Sequence, residues 1–118
     1  MTIQRQQTDK RMSQSVIHQS TVYLSGQVAQ NVNGGIEQQT LDILEQIQKL
    51  LASAGSDLEH ILSVTIYLKD IERDFSGMNA VWDRWLPMGS APARATVEAT
   101  MCESNILVEM SVIAALAA

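Results

Sequence analysis

The sequence has little cysteine and little positive charge, and each shortage excludes a class of protein. A single cysteine, Cys102, cannot form a disulfide within the chain and is typical of a reducing compartment. The 8 Lys and Arg residues, against 13 Asp and Glu, are scattered and form no basic stripe, which disfavours nucleic-acid binding. No apolar run approaches the roughly 18 residues of a membrane span, and the polar N-terminus lacks the apolar core of a secretory signal. We therefore expect a cytoplasmic protein with neither a nucleic-acid partner nor a membrane segment.

The familiar catalytic motifs are missing as well. His18 and His60 are far apart, and no Asp or Cys stands at metal-ligand spacing from them, so we expect no metal site. The glycine-containing stretch "NVNGGIEQQT" lacks the lysine and the spacing of a phosphate-binding loop. The chain also contains no CxxC and no serine nucleophile elbow, which leaves arginine-anchored binding of an acid as the remaining chemistry.

What the sequence does contain is an ordinary apolar content of 46%, in a chain of 118 residues. Such a chain can bury about two-thirds of its unfolded surface, so we expect one domain spanning residues 1–118. Residues 1–10 are polar and are either a frayed end or an edge segment. Segments rich in β-branched residues predict strands at about Gln14–His18, Val22–Val28 and Ser63–Leu68. The last 28 residues, 91–118, predict a hairpin of two further strands.

Two amphipathic helices separate these strands. Apolar residues recur at three- and four-residue steps from Ile36 to Ala54, and Gly55 follows as the residue that ends the first helix. The second helix lies in "DIERDFSGMNAVWDRWL" and has an apolar stripe formed by Phe75, Met78, Trp82, Trp85 and Leu86. Both tryptophans lie on this stripe, so we interpret them as core residues.

The element order β-β-α-β-α-β-β predicts an α+β fold in which both helices cover one face of a mixed sheet. The chain has no further element to cover the other face. We therefore expect that face to be covered by other copies of the chain.

Two ionised residues, Arg94 and Glu109, stand in the otherwise apolar C-terminal segment. Burying such a group without a partner costs on the order of several kcal/mol. Strand alternation predicts that Ala95, Val97, Ala99, Val108, Met110 and Val112 face the helices. The helix-free face would then carry Arg94, Thr96, Glu109 and Ser111 together, near an interface between subunits. A ligand site and a simple ion pair across strands or subunits both remain open at this point.

Several segments resemble the Rid family, the reactive-intermediate deaminases also called YjgF-like or endoribonuclease L-PSP proteins. They are "TVYLSGQVA", "SVTIYLKDIERDFSGMNAVWDRW" and "PARATVEA" followed by "ILVEMSVIA". The resemblance covers about Ser13 to Ala115. It implies a chorismate-mutase-like fold and a homotrimer with clefts between subunits. It also implies hydrolysis of enamine and imine intermediates, such as 2-aminoacrylate and 2-iminopropanoate, to 2-oxo acids and ammonia.

The resemblance also implies roles for five residues. Arg94 matches the arginine that binds the substrate carboxylate, and Glu109 matches the glutamate that directs the attacking water. Thr96 stands where the family often has cysteine and contacts ligand through its backbone. Gly26 and Asn79 match residues near the cleft. Active members often carry a tyrosine in a "GPY" context where this chain has Met12, which puts the substrate range and rate in question.

Elementary chemistry agrees with these implied roles. A guanidinium binds a carboxylate through two parallel hydrogen bonds, and a nearby carboxylate can orient or deprotonate water. An imine is already electrophilic, so no cofactor is needed. One alternative is a non-catalytic protein that binds small 2-oxo acids. RNA cleavage, which the family's other name suggests, is disfavoured by the net charge of −5 and the missing basic patch.

Overall fold

The computed structural model describes residues 2–118, which form seven strands and two α-helices. A short 3-10 turn, Leu58–His60, precedes the fifth strand. No helix in residues 2–118 combines the length and the apolar character needed to cross a membrane. The elements are β1 (Ile3–Thr8), β2 (Ser13–His18), β3 (Thr21–Leu24), β4 (Gln27–Val28), α1 (Ile36–Ala54), β5 (Ile61–Leu68), α2 (Ile71–Trp85), β6 (Ala93–Glu98) and β7 (Val108–Ala115).

All strands join one mixed sheet in the order β1-β2-β3-β7-β5-β6, and β4 also pairs with β7. The predicted α+β class is confirmed, and the polar N-terminal residues form an edge strand. The single strand expected at Val22–Val28 is interrupted at Ser25 and Gly26, which separate β3 from β4.

The predicted C-terminal hairpin is wrong, because β5 lies between β6 and β7. Strand β6 runs parallel to β5, and β7 runs antiparallel to β5 on its other side. The parallel pair is connected through α2, as a crossover between parallel strands requires. Burial explains why β7 is central and β6 is at the edge. Every second residue of β7 from Val108 to Ala114 is buried, whereas no residue of β6 is.

The core lies between the two helices and one face of the sheet, as predicted. The α1 residues Ile43, Ile47 and Leu51 are buried against alternate residues of β5 and β7, including Ile66 and Met110. Gly55 ends α1 with a positive φ of 89°, a conformation in which a side chain would be strained.

The apolar stripe predicted for α2 needs one correction. Phe75 is 41% exposed, whereas the buried residues of this helix are Asp74, Met78, Val81 and Trp82. Residues 74, 78, 81 and 82 follow the spacing of one helix face, and Phe75 lies at the border of that face, about 75° from its centre. Trp82 is therefore confirmed as a core residue.

Gln39 connects the start of α1 to the segment that precedes β7. It is fully buried, and its Nε2 donates to the carbonyl oxygens of Val32, Gly34 and Asn105 at 3.3, 3.1 and 3.0 Å. Its Oε1 accepts from the Leu107 amide at 3.0 Å. This one side chain therefore satisfies four backbone groups and holds two loops together.

The face of the sheet opposite the helices has no cover within this chain. Register places Ile3, Tyr23, Val97 and Ile113 on it, with exposed fractions of 47%, 44%, 43% and 36%. We refer to it as the helix-free face. Apolar side chains are thus exposed where the sequence predicts a contact with another subunit.

Candidate functional site

Arg94 lies on the helix side of the sheet, which differs from the sequence prediction. On β6 it stands in register with Val64 of β5, a buried residue that faces the helices. Its Nη1 donates to Oδ1 of Asn79 on α2 at 2.7 Å. Thr96 lies on the same side, opposite the buried Ile66.

Glu109 lies on the helix-free face, as predicted. It stands in register with Tyr67 of β5 and with Val28 of β4. The expectation that Arg94 and Glu109 share one face is therefore wrong. The register of β6 is set by its pairing with β5 rather than with β7. At this exposed edge, burial no longer forces the apolar Ala95 and Val97 toward the helices.

The first cluster, which we call the arginine half-site, consists of Arg94, Asn79, Thr96 and Trp82. The guanidinium carbon of Arg94 lies over the Trp82 ring, 5.2 Å from its centroid. Within residues 2–118, no carboxylate oxygen lies within 4.0 Å of the Arg94 nitrogens, since the two ion pairs are His60–Asp57 and Arg73–Asp74. The cluster therefore holds a positive charge that no side chain neutralises.

Thr96 contributes an unusual group to this half-site. Its hydroxyl oxygen is buried and has no hydrogen-bond partner. Thr40 in α1 is the only other described residue with a side-chain oxygen or nitrogen of this kind. A buried polar atom without a partner costs stability.

The second cluster, the glutamate half-site, consists of Gly26 and Glu109. A Cβ atom added to Gly26 would overlap Oε2 of Glu109. Gly26 has no positive φ, so its backbone conformation does not require glycine. Glycine is needed here because the lack of a side chain lets the Glu109 carboxylate approach the backbone. The interruption between β3 and β4 places this glycine beside the carboxylate.

A cavity of about 560 Å³ borders Gly26, and five of its ten lining residues are glutamines. Met12, the residue at which the family resemblance leads us to expect a tyrosine in active members, lines this cavity and is 49% exposed. Within it, Gln27 Nε2 donates to Gln14 Oε1 at 3.0 Å. The glutamines lining it are Gln7, Gln14, Gln27, Gln30 and Gln46. The lining of this cavity could not be predicted from the sequence, because glutamines from separated segments show no local pattern.

The two half-sites together contain the groups expected for chemistry on a small acid, but one chain does not bring them together. The arginine half-site can bind a carboxylate, and the glutamate half-site can accept a proton from water. Nowhere in residues 2–118 do three or more His, Cys, Asp and Glu side chains converge in a way that could hold a metal ion. The arrangement thus offers acid–base chemistry divided between two faces.

Comparisons with known proteins agree with this fold. The sequence profile described as Endoribonuclease L-PSP matches residues 2–116. The RutC family protein YoaB of Escherichia coli is 40% identical over 115 residues, which cover 98% of this chain and 99% of that protein.

Two crystal structures are also similar over nearly their full length. A protein from Pseudomonas aeruginosa has a TM-score of 0.95 and 45% identity, with 98% of this chain and 99% of that one covered. A member of the YjgF protein family from Neisseria meningitidis has a TM-score of 0.96 and 39% identity, with 100% and 98% covered. The sheet, the two helices and these matches together show that the chain belongs to the endoribonuclease L-PSP family, which includes the RutC and YjgF proteins.

Proposed function

We propose that this protein hydrolyses 2-imino acids, and the enamines that form them, to 2-oxo acids and ammonia. The observation that carries the proposal is the state of Arg94. Its guanidinium contacts the amide oxygen of Asn79 and the aromatic ring of Trp82, and no carboxylate of residues 2–118 neutralises its charge. An arginine kept in this way is suited to bind the carboxylate of a small organic acid.

The complete site is proposed to form between two copies of the chain. Arg94 and Glu109 lie on opposite faces, so the arginine half-site of one copy would meet the glutamate half-site of the next. Contacts between two different surfaces are head-to-tail, and they close into a ring when the rotation permits. This supports the homotrimer implied by the family resemblance. The exposed apolar residues of the helix-free face would then be buried by the neighbouring subunit.

The proposed reaction begins with the substrate carboxylate bound to the free donors of Arg94. Glu109 of the neighbouring copy accepts a proton from a water molecule, and the water oxygen forms a bond to C2 of the protonated imine. The C=N π-electrons move to the positively charged nitrogen and give a neutral carbinolamine. Glu109 then gives its proton to the amino nitrogen, the C–N bond breaks, and its electron pair leaves with ammonia. The hydroxyl on C2 gives its proton to the Glu109 carboxylate and becomes the carbonyl of the 2-oxo acid, and Glu109 releases this proton to solvent.

The decisive experiment couples the protein to an enzyme that releases 2-aminoacrylate and follows the formation of 2-oxo acid and ammonia. We expect acceleration over spontaneous hydrolysis by the wild-type protein. Glu109→Gln should lower kcat by about 10²- to 10⁴-fold, the usual contribution of a general base. Arg94→Ala should mainly raise KM, because it removes the carboxylate anchor. Equal rates with and without wild-type protein would contradict the proposal.

One observation favours a second function, the non-catalytic binding of 2-oxo acids. Met12 lines the cavity beside Gly26, at the position where active relatives often have tyrosine, and it offers no hydroxyl group. A binding protein of this kind would bind 2-oxobutanoate with an affinity that depends on Arg94 but would not accelerate hydrolysis. Calorimetric titration alongside the coupled assay distinguishes the two functions.

A further inference from the structure

We infer that Trp82 is a positioning residue that, with Asn79, holds the Arg94 guanidinium ready for one flat carboxylate; this rests on the proposed function. The helical pattern of the sequence indicates only a core role for Trp82. The tryptophan is 6% exposed and belongs to the hydrophobic core. The guanidinium of Arg94, an exposed residue, nevertheless lies over the Trp82 ring.

The geometry restrains Arg94 in two ways. The guanidinium carbon of Arg94 lies over the Trp82 ring, 5.2 Å from the ring centroid, so the aromatic ring restrains the position of the guanidinium. Asn79 accepts a hydrogen bond from Nη1 at 2.7 Å. Residues three apart on a helix are neighbours on its surface, so Asn79 and Trp82 approach Arg94 from one rigid element. Arg94 is therefore preorganised rather than free to sample its many rotamers.

Both contacts leave the positive charge available. An amide oxygen and an aromatic face attract a cation without cancelling its charge. Arg73 provides a comparison within the same chain. It donates from Nε and Nη2 to the Asp74 carboxylate at 3.1 and 2.9 Å, and this carboxylate raises the Arg73 pKa. Arg73 thus forms an ion pair with Asp74. Arg94 is restrained in position but forms no ion pair with a carboxylate of the described residues.

The same contacts predict which anions bind. Trp82 contacts the guanidinium and Asn79 occupies an Nη1 donor, so an anion can use the remaining donors, which lie in the guanidinium plane. A planar carboxylate can form two parallel hydrogen bonds in that plane, and its single negative charge matches the single charge of Arg94. Inorganic phosphate can form the same two bonds, but its second negative charge would lie unneutralised beside the negative face of the Trp82 ring. We therefore expect carboxylates to bind more tightly than inorganic phosphate.

The test is calorimetric titration of the intact protein with 2-oxobutanoate and, separately, with inorganic phosphate. Trp82→Leu removes the ring and should weaken 2-oxobutanoate binding about tenfold. Trp82→Phe keeps a smaller ring and should weaken it about twofold to threefold. Trp85→Phe is the matched control on the same helix and should bind like the wild type. In the coupled assay, the Trp82 variants should raise KM and leave kcat unchanged.

A spectroscopic signal separates positioning from a purely structural role. The chain has two tryptophans, so Trp82 is the only one in the Trp85→Phe variant. Its fluorescence should change on saturation with 2-oxobutanoate, and adding Arg94→Ala should abolish that change. The Trp82→Phe variant, with Trp85 as its only tryptophan, should show no change. This measurement remains decisive if Trp82→Leu fails to fold.

The outcomes for the two proposals differ. The positioning role would be overturned by any of three results. These are an unchanged 2-oxobutanoate affinity in both Trp82 variants, no change in Trp82 fluorescence on saturation with 2-oxobutanoate, and tighter binding of phosphate than of 2-oxobutanoate. Wild-type turnover together with an unchanged KM in the Trp82 variants would overturn it and keep the proposed hydrolysis. Binding in the expected order without any turnover would overturn the hydrolysis and keep the positioning role. A wild-type protein that binds no 2-oxo acid would overturn both.

Discussion

Arg94 and Glu109 face opposite sides of one sheet, although they stand on consecutive strands of the chain. Their partners on β5 explain this, because Arg94 is in register with the inward-facing Val64 and Glu109 with the outward-facing Tyr67. If both residues act on one substrate, the two groups come from different copies. The proposed activity thereby becomes a property of the assembly rather than of one chain.

Mixing two impaired variants tests this arrangement directly. Arg94→Ala and Glu109→Gln proteins are unfolded together in equal amounts and refolded, and 2-oxo acid formation is measured at a substrate concentration far below the raised KM of Arg94→Ala. In a ring with random mixing, a site is intact when one copy supplies Arg94 and its neighbour supplies Glu109. About a quarter of wild-type activity should therefore return. Each variant refolded alone is the control. If the mixture stays as inactive as the separate variants, the site lies within one chain.

Gly26→Ala should impair catalysis more than folding. The new Cβ would displace the Glu109 carboxylate, and because the end of that side chain is flexible, the free energy of unfolding should change by at most about 1 kcal/mol. Displacing the carboxylate that we propose directs water should lower kcat by about 10- to 100-fold. Gly35→Ala is the control, since its Cβ would meet no atom within 4 Å. Equal activity of the two variants would show that the close approach of Gly26 is irrelevant to turnover.

Replacing the Thr96 hydroxyl should stabilise the protein. The buried oxygen has no partner, so Thr96→Val exchanges an unsatisfied polar group for a methyl group of similar size. The free energy of unfolding in urea should rise by about 1 kcal/mol. Thr40→Val offers an independent comparison, since its oxygen is also unpartnered. The family resemblance implies backbone contact with ligand at Thr96, so KM should not change. A raised KM would instead indicate that the hydroxyl itself binds substrate.

Two adjacent glutamines should differ greatly in their effect on stability. Gln39→Met leaves the buried Leu107 amide and three carbonyl oxygens without this partner, and should cost about 3 kcal/mol of unfolding free energy. Gln38 is exposed, so Gln38→Met should stay within about 0.5 kcal/mol of the wild type. Urea unfolding of both variants provides the measurement. Similar midpoints would refute the bridging role of Gln39.

Local patterns in the sequence were sufficient to predict the main elements. The spacing of apolar residues located α1 and its end at Gly55, and alternation gave the inward-facing residues of β5 and β7. The uncovered second sheet face followed from counting elements. These features depend on each segment's own periodicity, which holds wherever the segment is placed in the fold.

The candidate site was only partly predictable. Arg94 and Glu109 were selected first as ionised residues in an apolar segment, and Asn79 and Gly26 by resemblance. The structure brings these four residues together as two separate pairs. The role inferred for Trp82 gave no local signal, because a core tryptophan and a tryptophan beneath a guanidinium occupy the same helical stripe. The amide-lined cavity draws its residues from three segments of the chain, so it also has no local signature.

By itself, the sequence determined which residues share a side within each strand and helix. It also determined that the chain has two helices, and it limited the N-terminal residues to a frayed end or a strand at the edge of the sheet. Only the tertiary structure decided that β5 separates β6 from β7, and therefore which face Arg94 occupies. The physical reason is that alternation relates a residue to its own strand, whereas the choice of neighbouring strands depends on how the whole chain buries its apolar surface.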